Sequence, residues 1–95
     1  MFAVVGRWKL DSGQLDVQRE VLRQRIVPGV TQAAGFVAGY WSEPTDSGDA
    51  YSFVVFDDVG AAEAFAESVR INRHDRESHG VEGDELSVVA LMAHA

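Results

Sequence analysis

The feature that most constrains this chain is the order in which its hydrophobic periods change. Phe2 to Leu10 alternates, with Phe2, Val4, Gly6, Trp8 and Leu10 on one side and Ala3, Val5, Arg7 and Lys9 on the other, the period of a strand with a buried face. Asp11 and Ser12 supply oxygens for the free N–H groups of a helix start, so a helix is expected from about Gln14. Its apolar stripe runs through Leu15, Val21, Leu22 and Ile26. Val30 and Ala33 continue the offsets past Pro28, which predicts a helix kinked at Pro28, running toward Ala34 and ended by Gly35.

Phe36 to Glu43 alternates again, with Phe36, Ala38, Tyr40 and Ser42 opposed to Val37, Gly39, Trp41 and Glu43. The turn formers PTDSGD separate it from a β-branched and aromatic run, Ala50 to Phe56, which predicts an antiparallel hairpin. Asp57 or Asp58 caps a second helix whose apolar face is Ala62, Phe65, Ala66 and Val69. Residues 72–85 are mostly charged and read as a solvated connector with some helix near its start. Leu86 to His94 reads as a last strand, apolar on both faces and so central or interfacial rather than an edge.

The string β, α, β, β, α, β is a pair of split βαβ halves. It implies the α+β class and a ferredoxin-like βαββαβ fold: a four-stranded antiparallel sheet, strands 1 and 3 in the middle, two helices on one face. With 95 residues the expectation is a single domain over 1–95. No helix is left for the other sheet face, yet the strands supply it with apolar side chains, which demands a partner. A chain this short builds a thin core, and a homodimer through the open sheet face is the expected supplement.

Fifteen acidic against eight basic side chains give a net charge of −7, which argues against nucleic acid and membrane partners. There is no cysteine, which excludes disulfides, thiolate metal sites and cysteine nucleophiles. The opening MFAVVGRWKLD has no signal-peptide pattern and no run suits a membrane span, so a cytoplasmic location is expected. None of the serines lies in a Gly-x-Ser-x-Gly turn, and no glycines form a phosphate-cradling loop.

The strand FAVVGRWKL, the strand GFVAGYW after an amphipathic helix, the run YSFVVFDD leading into AAEAFAESV, and the closing ELSVVALMAHA resemble the dimeric α+β barrel superfamily. That group holds the antibiotic-biosynthesis-monooxygenase-like and stress-responsive barrel domains. The resemblance covers nearly the whole chain and is strongest to small actinobacterial members. It implies two sheets packed face to face as a dimer, with a ligand pocket between each sheet and its own helices. The haem-degrading members differ: this chain has no asparagine in strand one, Ser68 stands where those members place tryptophan, and His74 follows helix two too closely.

A pocket of that kind draws on Trp8, Tyr40, Trp41, Tyr51 and Phe65 as aromatic walls, with Arg7, Asn72 and His74 as polar handles. Whether Trp8 or Arg7 faces the helices depends on strand phase, which the sequence leaves open. His74 is the candidate proton-handling residue, because imidazole titrates near neutrality unaided. His74 and His79, five apart, do not share a helix face, so no metal site is expected, and no cofactor motif is present. The expected function is binding of a small aromatic or hydrophobic ligand. The alternative is a cofactor-independent monooxygenase acting on a phenol, quinol or polyketide-type substrate.

Overall fold

The structure is a computed structural model and describes residues 1–95, the side chain of Asp84 excepted. Four strands, β1 (Phe2–Leu10), β2 (Phe36–Trp41), β3 (Asp49–Phe56) and β4 (Val81–Ala90), form one antiparallel sheet in the order β2-β3-β1-β4. Strands 1 and 3 are central, as right-handed crossovers require. The helices α1 (Leu15–Val21), α2 (Val27–Thr31), α3 (Val59–Ile71) and α4 (Arg73–Ser78) complete the chain. Among the described residues, no helix is long and apolar enough to cross a membrane.

The core lies between one sheet face and the helices. Val4, Val54 and Phe56 from the sheet meet Val30 of α2 and Ala62 and Ala66 of α3, all buried. Full burial of a side chain such as Phe56 contributes about 1.5–3 kcal/mol. Phe56 also meets the rings of Phe36 and Phe65, with centroids 6.4 and 5.3 Å away. Alanines at the contact face of α3 bring its backbone close to the sheet. Its start is set by Asp58, whose side chain accepts from the Ala61 N–H at 3.1 Å.

The phase of β1 is settled by this core: Val4 and Trp8 face the helices, Arg7 and Lys9 the open side. On that open face antiparallel pairing lines up Tyr40, Phe53 and Val5 in one row and Tyr51 and Arg7 in the next. Tyr40 is 67% exposed and Phe53 38%.

Several sequence-based expectations change. The first helical region opens with a 3₁₀ turn, Ser12–Gln14, capped by Asp11, which accepts from the Gly13 N–H at 2.9 Å. Helix continues through Pro28, but a π-helical turn, Leu22–Ile26, precedes it, and the Val27 N–H bonds the Leu22 carbonyl five residues back. Helix α2 ends at Thr31 rather than Ala34, and Gly35 follows at φ 77°, a conformation glycine adopts freely.

In β2 the pairing register shifts between Phe36 and Ala38, and this bulge places both Phe36 and Trp41 against the core instead of on opposite faces. The connector is more ordered than its charge suggests: it contains α4, and β4 begins at Val81 and ends at Ala90, not Leu86 to His94. β4 is an edge strand of this sheet, despite apolar residues on both faces.

Candidate functional site

Between the helical layer and the far half of the same sheet face lies a cavity of about 720 Å³. Its volume falls within the roughly 300–1,000 Å³ usual for small-molecule sites. The sheet side is formed by Trp8, Trp41, Ser52 and Leu86, the first helical region contributes Leu15, Gln18, Leu22 and Ile26, and Phe65, Asn72, Arg76 and His79 close the far side.

Both tryptophans are held by the glycine two residues before them. A Cβ on Gly6 would stand 2.7 Å from Trp8 ring atoms, and one on Gly39 would stand 2.7 Å from Trp41 Cη2. Each indole therefore folds back flat along its own strand. Trp8 also extends over Gly83, where a Cβ would come within 3.1 Å of Cζ3. Its Nε1 donates to Ser52 Oγ at 2.9 Å, which satisfies the only polar atom of the ring in a mostly apolar wall. The Arg76 guanidinium carbon lies 5.1 Å from the Trp8 ring centroid, a cation–π contact.

Gln18, 9% exposed, anchors the helical wall. Its Nε2 donates toward the carbonyls of Asp11 at 3.2 Å, His79 at 3.0 Å and Gly80 at 3.3 Å. Three carbonyl acceptors fix which way the amide points, since an oxygen there would face three others. Gly80 makes the turn into β4 at φ 76°, and a Cβ on it would meet Gln14 Nε2 at 2.9 Å.

Charged groups frame the cavity. Arg19 binds Glu43 through Nη2 to Oε1 at 2.6 Å and Nε to both carboxylate oxygens at 3.2 and 3.3 Å. This hydrogen-bonded pairing holds the Glu43 carboxyl below its ordinary pKa and raises that of Arg19. Arg25 pairs with Asp75 at 3.2 Å. Arg76 donates from Nη1 to the Val69 carbonyl, its Nε is buried without a partner, and burial disfavours its charged form.

The proposed site residues separate into two groups. Trp8, Trp41, Phe65 and Asn72 line the cavity, Asn72 with its Nδ2 donating to the Ser68 carbonyl at 2.9 Å. Tyr51 borders the rim, although its pairing with Arg7 turns its side chain to the other sheet face. Arg7 and Tyr40 are on that open face, with Arg7 3.4 Å from Glu85. The period of two places Arg7 there once Trp8 faces inward. His74 is exposed on α4 and outside the cavity.

The imidazole that does border the cavity is His79, with Nδ1 2.9 Å from the Asp75 carbonyl. Among the described residues no group of three or more His, Asp or Glu side chains is arranged to hold a metal ion. Sequence reasoning missed Gln18 and Arg76, and considered His79 only as a metal ligand. One signal for the walls was present, the recurrence of Gly-x-Trp at 6–8 and 39–41.

No protein-family model and no curated protein matches the chain. Solved structures do. HapK from Hahella chejuensis superposes with a TM-score of 0.78 at 14% identity, covering 100% of this chain and 96% of its own. The heme-degrader MhuD from Mycobacterium tuberculosis, with two hemes bound in its active site, gives 0.76 at 12% identity over 100% and 99%. A protein described as an antibiotic biosynthesis monooxygenase from Deinococcus radiodurans gives 0.72 at 18% identity over 100% and 94%. At such identities the likeness is one of fold. The chain has the ferredoxin-like α+β fold of the antibiotic-biosynthesis-monooxygenase-like proteins, as its strand and helix motifs suggested.

Proposed function

We propose that this chain binds a small planar aromatic ligand in the cavity between its sheet and its helices, and that it works as a homodimer joined through the open sheet faces. The observation that carries the ligand reading is the cavity wall: two indoles laid flat along the sheet beside Phe65, in a space of about 720 Å³. Packed interiors hold few voids larger than a water molecule, and flat aromatic walls suit a flat ligand. MhuD, of the same fold, holds planar hemes. The exposed Tyr40, Tyr51 and Phe53 support the dimer.

Titration with naphthalene derivatives tests the ligand reading. Because the only two tryptophans both line the cavity, a bound ring quenches their fluorescence. Failure of every planar aromatic to alter the emission or to bind in calorimetry overturns it.

The second reading is a cofactor-independent oxygenase acting on a phenol or quinol, suggested by the description of the Deinococcus neighbour. In it the proton-handling group is His79. Facing a carbonyl, its Nδ1 carries the proton of the neutral ring, so Nε2 is left as the base. Oxygen consumption with phenols and quinols, reduced in His79→Ala, supports this reading; ligand binding without turnover rejects it.

A further inference from the structure

The charge lining the cavity is opposite to that of the chain. At a net charge of −7 the protein has only eight basic side chains, yet Arg19, Arg25 and Arg76 all line this one space, against the carboxylates of Glu43 and Asp75. Arg19 and Arg25 are each matched by one of those carboxylates. Arg76 is not. Its neighbour Glu77 is bound to Arg73 at 2.7 Å, and among the described residues no carboxylate forms an ion pair with Arg76.

We propose that the ligand is an aromatic anion, a flat ring system bearing a carboxylate or similarly acidic oxygen, whose negative charge is received by Arg76 while the ring rests in the tryptophan-lined space. This rests on the ligand reading above and narrows it to one chemical class. Arg76 lies over Trp8, so a group bound to its guanidinium is held beside the indole wall. Its buried Nε lacks an acceptor, and a buried donor left unmade is costly. The same burial that disfavours its charged form makes an incoming anion more valuable there than at the exposed arginines.

The test compares 2-naphthoate with 2-naphthamide, which has the same ring and nearly the same shape but no charge, by calorimetry at pH 7 on the intact chain. Naphthoate is expected to bind about tenfold or more tighter. In Arg76→Met, which keeps an unbranched side chain against Trp8 but no cation, the ratio is expected to fall toward one. Equal binding of both probes by the unaltered protein overturns the anion inference and leaves the ligand reading intact. Binding of neither overturns both. A naphthoate preference that persists in Arg76→Met, or in Arg76→Gln should the first variant not fold, removes Arg76 from the role and overturns the inference.

Discussion

Gln18 of α1 donates to the carbonyl of His79 at 3.0 Å, across 61 residues of sequence. Through that bond and its companions to Asp11 and Gly80, one buried amide ties the first helical region to the turn that leads into β4. The cavity wall is therefore held by a polar clamp as well as by hydrophobic contact. Gln18→Leu removes the donor and leaves the His79 carbonyl without it, an expected loss of about 1–3 kcal/mol. For a chain of this length that corresponds to roughly 4–8 °C in Tm per kcal/mol. Thermal and urea unfolding check it; an unchanged midpoint refutes the clamp.

Gly39→Ala puts a methyl into space already taken by the Trp41 ring, 2.7 Å from Cη2. The indole must leave its flat position. Overpacking of this kind costs about 1–3 kcal/mol. A red-shifted tryptophan emission together with weakened binding of a naphthalene probe is the expected result.

Ser52→Ala deprives Trp8 Nε1 of its acceptor while leaving the buried site otherwise filled. The expected cost is about 1–2 kcal/mol, read from urea denaturation. Ser52→Thr, which keeps the hydroxyl, is expected to retain more of the stability than Ser52→Ala.

On the acid side, folding holds several carboxyls below their ordinary pKa. Asp11 does so by accepting from the Gly13 N–H and Gln14, and Glu43 through Arg19. Asp49 is bonded by Ser47 and Lys9, and Glu77 by Arg73. A depressed folded-state pKa means that the unfolded chain takes up protons first as pH falls. The stabilisation is therefore complete above the ordinary carboxylate range, about 4, and is lost as the pH drops through and below it. Arg19→Met is expected to flatten this dependence by freeing Glu43, which a set of melting curves between neutral and acidic pH will show.

Phe53→Arg places a charge in the middle of the row formed with Tyr40 and Val5 on the open sheet face. If two copies join there, light scattering should report the 10.4 kDa monomer for the variant and twice that mass for the parent. A parent that is monomeric at micromolar concentration contradicts the proposed assembly.

Much of the fold was legible because most elements have one apolar side. The alternation through Val4 and Trp8 and the spacing of Ala62, Phe65 and Ala66 each identified a buried face. The Phe36 to Trp41 strand misled because the register shift near its start changes the face, and a period of two has no mark for an inserted residue. Residues 81–85 concealed a strand because an edge position tolerates charge. Helix α4 has no buried residue, and its Arg73–Glu77 pair and its packing beside β4 carry no hydrophobic period. In the site, the aromatic walls were readable as residue types. Gln18 and Arg76 were not, since the contacts of a long polar side chain depend on partners far away in sequence.

The π turn at Leu22–Ile26 amounts to one additional residue in an otherwise α-helical ladder. Everything after it is rotated by about 100° from where an uninterrupted helix would put it. Val30, beyond the turn, belongs to the core and also borders the cavity, while Ile26, within it, borders the cavity and is no part of the core. Turning these residues into regular α-helix without shortening the chain would swing Val30 away from Phe56, whereas deleting one of them would leave Val30 in place, so the helix's length, as much as its composition, determines which side chains seal the interior and which remain beside the open space.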